Sequence, residues 1–129
     1  MQNRALLDAF YVKFLKPFFI IVMPLEEYLM PGEEIYTRGI AVRLAGNEYE
    51  AILTNMRLLL YARRGLIVKR DELISVKLRE IQNIHYREEG LISKRGILVI
   101  DLLDRRISLA GTPEAMKSLY QNLMAHWGR

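Results

Sequence analysis

The sequence predicts a mainly β fold of the α+β class, in which about seven antiparallel strands are followed by one C-terminal helix. Two observations support this prediction. A hairpin pattern occupies residues 49–62, and further strand patterns separated by turn residues continue to residue 109. After residue 112 the apolar residues recur at the spacing of a helix instead of that of a strand.

The hairpin pattern reads YEAILTNMRLLLYA, with apolar arms on both sides of the tetrapeptide Thr54-Asn55-Met56-Arg57. Polar residues between two apolar runs are typical of a tight turn. Asn55 tolerates the left-handed backbone that such a turn often needs. We therefore expect Ile52 and Leu53 to end one strand and residues 58–61 to begin the next.

The remaining strands are predicted from short apolar or alternating runs between turn signals. They are expected at residues 34–44, 66–68, 73–78, 81–86, 97–103 and 107–109. The turns between them are expected at residues 45–48, 63–65, 88–90, 93–96 and 104–106. No internal repeat or low-complexity segment is expected along the chain.

The C-terminal helix has a clear start signal. Thr112 is a favourable N-cap, Pro113 suits the first helical position, and Glu114 suits the positive end of the helix dipole. The apolar residues that follow repeat at helical intervals, namely Met116, Leu119, Tyr120, Leu123, Met124 and Trp127. This amphipathic face is expected to cover the sheet.

Residues 1–31 form a separate N-terminal segment, and residues 32–129 form the main domain, with the boundary at the turn signal Pro31-Gly32. Apolar spacing predicts an amphipathic helix over residues 3–16. Lys13 and Lys16 would lie near the middle of any membrane span, which argues against one. The segment is expected to pack on the sheet or on a second copy of the chain, giving a homo-oligomer; a membrane-surface anchor is the alternative.

Composition excludes several classes of function. The chain has 129 residues and no cysteine, which removes disulfides, thiolate metal sites and cysteine nucleophiles, and it fits a cytoplasmic protein. The net charge of +4 is too small to indicate nucleic-acid binding by itself. The sequence pI of about 9.5 leaves a nucleic-acid-binding sheet as a weaker alternative, because aromatic residues are not interleaved with the basic ones.

Catalytic chemistry is not expected. His85 lies in a predicted strand and His126 near the chain end, without a nucleophile and an orienting group in an obvious arrangement. Asp101 and Asp104 are better explained by a hairpin turn than by paired acid and base. Since no metal-ligand spacing or phosphate-binding glycine loop occurs, neither a metal nor a cofactor is expected.

Several motifs resemble those of pleckstrin homology (PH) proteins. The run L-T-N-M-R-L at residues 53–58 is similar to the L-T-x-x-R-L turn of bacterial PH-like and GRAM-like domains. Residues 78–84 and 96–100 are similar to the fifth and sixth strands of the same families. The resemblance spans residues 33–127. It implies a PH-like split barrel of seven antiparallel strands, with the terminal helix closing one open end.

One branch of this superfold shows a further resemblance. Residues 37–46, the L-T-x-x-R-L turn and a terminal helix ending at Trp127 resemble the GLUE domain of the ESCRT-II membrane-sorting complex. This resemblance implies a non-catalytic adaptor that binds ubiquitin, acidic phospholipid head groups, or both, in the cytoplasm or at a peripheral membrane location. The alternative is a generic PH-like domain for protein docking or oligomerisation.

Candidate binding residues follow from these expectations. The turn at residues 45–48, near the usual PH lipid site, contains no lysine or arginine, so a displaced lipid site is expected at basic pairs elsewhere. These pairs are Arg63 and Arg64, Lys69 and Arg70, Lys94 and Arg95, and Arg105 and Arg106. An apolar ubiquitin-binding patch would involve Ile84, Tyr86 and Tyr120. The alternatives are solvated loop charges and ordinary core residues.

Overall fold

The computed structural model describes residues 24–65 and 67–127. The chain divides into two compact units, residues Met1–Gly32 and Glu33–Arg129. The described part of the first unit contains a short 3-10 helix at Pro24–Tyr28. The helix predicted over residues 3–16 lies outside the described residues. Within the described ranges, no helix is long and apolar enough to span a membrane.

The second unit contains a seven-stranded antiparallel sheet. Its strands are β1 (Ile35–Leu44), β2 (Asn47–Thr54), β3 (Arg57–Arg64), β4 (Arg70–Lys77), β5 (Ile81–Glu89), β6 (Arg95–Leu102) and β7 (Arg106–Gly111). The strand order across the sheet is β4-β3-β2-β1-β7-β6-β5. Consecutive strands therefore pair as hairpins, except β4 and β5, which form the two edges of the sheet. The pairing of β1 with β7 joins the two halves.

The C-terminal helix α1 (Pro113–His126) follows β7 and packs on the sheet. The Thr112 hydroxyl accepts a hydrogen bond from the Ala115 backbone N–H, as expected of an N-cap. Met116, Leu119 and Leu123 are fully buried in the core, which they share with apolar residues from all seven strands. The predicted architecture of seven antiparallel strands and one C-terminal helix is thus confirmed.

The hairpin between β2 and β3 has the predicted position but a different turn. Asn55 does not adopt a left-handed backbone; among the described non-glycine residues, only Ala45 has a positive φ. The Thr54 hydroxyl instead accepts hydrogen bonds from the backbone N–H groups of Met56 and Arg57, each at 3.1 Å. The Asn55 side chain accepts from the backbone N–H of Glu34 at 2.8 Å. Side-chain hydrogen bonding thus makes the turn without left-handed backbone.

Several strand predictions were wrong in their bounds, and two of the differences concern the loops between β3 and β4 and between β5 and β6. Residues 67–68, expected to resume a strand, are bends in the loop between β3 and β4. Residues 88–89, expected in a loop, belong to the end of β5. Apolar character alone favoured a strand at 67–68, whereas the pairing of β3 with β4 stops at Arg64 and Arg70 and leaves the described residues between them outside the sheet.

Candidate functional site

The loop between β3 and β4 exposes aliphatic side chains to solvent. Ile67 is 94% exposed and Val68 is 74% exposed. The Arg64–Arg70 pair closes the ladder at the base of the loop. Lys69 and Arg70 follow the aliphatic residues directly, so this hairpin end combines an apolar tip with two cations.

The loop between β5 and β6 has the same construction. Leu91 and Ile92 are completely exposed, and Lys94 and Arg95 follow them. The ladder at its base closes with the pair Glu89–Arg95. The two loops carry nearly the same hexapeptide, G-L-I-V-K-R at residues 65–70 and G-L-I-S-K-R at residues 90–95.

The first residue of each hexapeptide is a glycine with a positive φ. Gly65 has φ +103° and Gly90 has φ +128°. A Cβ at Gly65 would overlap the carbonyl oxygen of Val68, and one at Gly90 would overlap that of Ser93. Each loop thus folds back on its own glycine in the same way, and only glycine fits both the backbone angle and the space.

Of the four basic residues predicted to bind lipid beside the β3–β4 loop, two are held by carboxylates. The Arg63 guanidinium lies 3.5 Å from Asp71, and that of Arg64 lies 3.1 Å from Glu72. Arg64 also lies over the ring of Tyr49, with 4.9 Å from Cζ to the centroid. Hydrogen bonds from Tyr49 and Arg64 hold the pKa of Glu72 below its usual value. These contacts give Arg64 a structural role at the base of the hairpin.

Lys69 and Arg70 are differently placed. The Lys69 ammonium donates to the backbone oxygen of Gly65 at 2.9 Å, and both residues are exposed. Within residues 24–65 and 67–127, no carboxylate forms an ion pair with either side chain. Their charges are therefore available beside the apolar tip formed by Ile67 and Val68.

In the β5–β6 hairpin, Arg95 pairs with Glu89 at 2.9 Å. That hydrogen bond holds the pKa of Glu89 below its usual value. Lys94 is exposed and, in the described part of the chain, has no carboxylate within ion-pairing distance. This hairpin therefore offers one available cation next to Leu91 and Ile92.

The turn between β6 and β7 carries the remaining basic pair. Arg106 forms a 2.6 Å ion pair with Asp101, and this contact lowers the pKa of the Asp101 carboxyl. Asp101 lies in β6 instead of in the turn, and its contact is with an arginine instead of a second carboxyl group. Arg105 and the 81% exposed Leu103 lie in the turn itself.

The eight predicted lipid-binding residues are thus divided among three hairpins. Among the described residues, their side-chain hydrogen bonds and ion pairs stay within each hairpin, except that Arg64 also contacts the Tyr49 ring and the backbone oxygen of Glu48 in β2. The β1–β2 turn consists of Ala45 and Gly46, both with positive φ, as a type I′ hairpin turn requires. The turn itself supplies no cation.

The residues predicted for a ubiquitin-binding patch pack against the core. Ile84 is only 8% exposed, and Tyr86 and Tyr120 are partly buried, with ring centroids 5.7 Å apart. The Tyr86 hydroxyl donates to Glu88 at 2.9 Å. Burial and the neighbouring Glu88 carboxylate raise the pKa of Tyr86 to about 12. These three side chains therefore do not form an exposed apolar patch.

Sequence reasoning missed the aliphatic loop tips and treated Leu66 to Val68 as a strand. It also expected no internal repeat. The signal was present, because five of the six positions are identical between residues 65–70 and 90–95. A repeat of six residues is shorter than a structural repeat unit, so a search for domain-scale periodicity does not find it.

Among the described residues, the side chains show no arrangement typical of a catalytic or a metal-binding site. No group of three or more histidine, aspartate or glutamate side chains within them has the geometry of a metal site. An open groove on β1, β2 and β3 is lined by Gly39, Glu50 and Tyr61, among others. The Glu50 carboxylate there is bound by Arg38 at 2.9 and 3.1 Å and by the Gly39 N–H at 2.8 Å. These bonds are internal to the sheet.

Comparison with known proteins identifies the fold. No protein-family model and no curated protein matches the sequence. Among solved structures, the chain is similar to the pleckstrin homology domain from Shewanella amazonensis SB2B, with a TM-score of 0.59 and 16% sequence identity. The match covers 80% of this chain and 91% of that domain. The sheet order, the C-terminal helix and this match together assign the pleckstrin homology fold to the chain.

Proposed function

We propose that this PH-like chain is a non-catalytic docking module for anionic phospholipid membranes. The observation that carries the proposal is the β3–β4 loop, where the exposed Ile67 and Val68 directly precede Lys69 and Arg70. Exposed aliphatic side chains at a convex tip fit a soft bilayer, because lipids can close around them. The adjacent cations fit the anionic head groups.

The expected affinity is that of a peripheral protein. Each lysine or arginine near an anionic surface contributes about 1 kcal/mol, and this attraction weakens as salt screens it. Full burial of an aliphatic side chain contributes about 1.5–3 kcal/mol. A few such residues give reversible binding, which supports a cytoplasmic protein that visits a membrane surface.

Ubiquitin binding, which the GLUE resemblance implies, has less support. Ile84, Tyr86 and Tyr120 pack against the core, and an apolar ubiquitin surface needs an exposed apolar partner. Generic protein docking or oligomerisation is the remaining alternative for a PH-like module.

The test is co-sedimentation with vesicles of phosphatidylcholine alone and of phosphatidylcholine with phosphatidylserine. We expect binding only to the anionic vesicles, and release at high salt. Lys69→Glu/Arg70→Glu should abolish binding. The matched control is Lys77→Glu/Arg79→Glu, which changes net charge equally at the opposite end of β4 and should retain most of the binding.

Two results would overturn the proposal. One is equal binding to neutral and anionic vesicles, or to neither. The other is equal loss of binding in the two charge-reversal variants, which would indicate a response to net charge instead of to the β3–β4 loop. Addition of ubiquitin in an NMR titration separates the GLUE alternative, because it would shift backbone resonances without any lipid.

A further inference from the structure

The sequence contains the hexapeptide G-L-I-x-K-R twice, where x is Val68 in the first copy and Ser93 in the second. Both copies connect paired antiparallel strands, and in both the final arginine pairs with the residue before the glycine. Both glycines have positive φ and lie against the carbonyl of the variable residue. The isoleucines at the same position, Ile67 and Ile92, are 94% and 101% exposed.

The fold does not require the two loops to be this similar in sequence. The two hairpins contain opposite edge strands of the sheet, β4 and β5, and their bases differ in charge. Arg63 and Arg64 precede the first copy, whereas Glu88 and Glu89 precede the second. Loop closure requires the glycine, but the fully exposed isoleucine makes no packing contribution. The aliphatic residues and the Lys-Arg pair are therefore best explained by a common ligand.

We infer that both G-L-I-x-K-R loops insert into an anionic phospholipid bilayer, each as a separate unit. Ile67 and Ile92 enter the boundary between head groups and acyl chains, and Lys69 and Lys94 bind lipid phosphates. This inference rests on the proposed membrane docking and extends it to a second contact point and to insertion below the head groups.

Fluorescence at the variable position tests insertion directly. The natural chain has no cysteine, so Val68→Cys and Ser93→Cys each provide one labelling site and leave both isoleucines in place. An environment-sensitive dye at either site should shift its emission to shorter wavelength when phosphatidylserine vesicles are added. Gln121→Cys, on the exposed face of α1, is the control and should not shift.

Three results would overturn the inference in different ways. If only one loop label shifts, the repeat does not act as two units. If the protein sediments with vesicles and neither label shifts, binding is confined to the head groups; the proposed docking survives and insertion does not. If the protein binds no vesicles, the proposed function fails, and the inference fails with it.

Serine substitutions provide a test without dyes. Ile67→Ser and Ile92→Ser should each weaken vesicle binding by about tenfold, and the double variant should nearly abolish it. Val68→Ser makes the first loop identical to the second and should weaken binding less than Ile67→Ser does. Leu103→Ser removes an aliphatic side chain that is also largely exposed but lies outside the repeat, and it should have little effect. Equal losses at residues 67 and 103 would contradict a specific role for the repeat.

Discussion

Glu33 and Arg57 form a buried, bidentate ion pair. The Arg57 Nε lies 2.8 Å from Glu33 Oε2, and Nη2 lies 2.9 Å from Oε1. The Glu33 side chain is fully buried and that of Arg57 is 8% exposed. Thr54 donates its hydroxyl proton to the same carboxylate at 2.6 Å. The threonine and the arginine of the L-T-x-x-R-L motif thus both hold Glu33, two residues before β1 begins.

Removing Glu33 should strongly destabilise the fold. Glu33→Ala leaves the Arg57 guanidinium buried without its carboxylate, which costs about 3–5 kcal/mol in the free energy of unfolding. Urea denaturation followed by circular dichroism measures this loss. Glu48→Ala breaks the exposed pair with Arg43 and should cost less than about 1 kcal/mol. Equal costs for the two variants would show that burial does not set the strength of the Glu33 pair.

Much of the fold could be predicted because it depends on local patterns. The apolar arms beside residues 54–57 fixed the central hairpin, and the cap at Thr112 fixed the start of α1. The role of Arg57 could not be predicted, because its partner Glu33 lies 24 residues earlier in the chain. A motif identifies such residues by resemblance, but only the fold shows what they bind.

The candidate site was only partly predictable. The basic pairs were visible in the sequence, yet their availability depends on neighbours across each hairpin, such as Glu72 beside Arg64 and Glu89 beside Arg95. Exposure of Ile67 was not visible, since an aliphatic run has the same composition in a buried strand and at a loop tip. Burial of Ile84 was not visible either, because the alternation that predicts a strand does not by itself say which face is buried.

The two repeat glycines should be harder to replace than the glycine of the β1–β2 turn. Gly65→Ala and Gly90→Ala combine positive φ with overlap onto a backbone carbonyl, whereas a Cβ at Gly46 meets no atom within 4 Å. Gly46→Ala should cost about 1 kcal/mol from backbone strain alone. The two loop variants should cost more, as measured by thermal or urea unfolding. Similar costs at all three positions would contradict the tight loop geometry.

Close packing of α1 requires glycine at residue 96 in β6. A Cβ at Gly96 would lie 2.7 Å from the Cβ of Met116 and 3.0 Å from the Tyr86 hydroxyl oxygen. Gly96→Ala should therefore destabilise the protein by about 1–3 kcal/mol through overpacking. Met116→Ala keeps the Cβ atom at residue 116, so the double variant Gly96→Ala/Met116→Ala should retain the clash. A double variant more stable than Met116→Ala would contradict this contact.

Tyr86 should make the stability depend on alkaline pH. Its pKa is raised from 10.0 to about 12 because burial and Glu88 disfavour the phenolate in the folded protein. The stabilisation of the folded protein by this pKa shift is complete below pH 10.0, the ordinary pKa of tyrosine, and is lost as the pH rises toward 12. Phenolate absorbance and urea unfolding across this interval measure the effect. Tyr86→Phe should remove this part of the pH dependence, and Glu88→Gln should move the Tyr86 transition to lower pH.

Substitutions of Arg64 and Arg70 should distinguish a charge that stabilises the fold from a charge that binds the membrane, although the two residues pair directly across the same hairpin. Arg64 is engaged by Glu72 and Tyr49, so Arg64→Ala should lower the urea midpoint and have the smaller effect on vesicle binding. Arg70→Ala should leave the midpoint nearly unchanged and weaken binding to phosphatidylserine vesicles about fivefold, as loss of about 1 kcal/mol predicts. Each variant removes one positive charge. Equal losses of vesicle affinity would therefore mean that net charge, and not the position of a cation beside the apolar tip, controls docking.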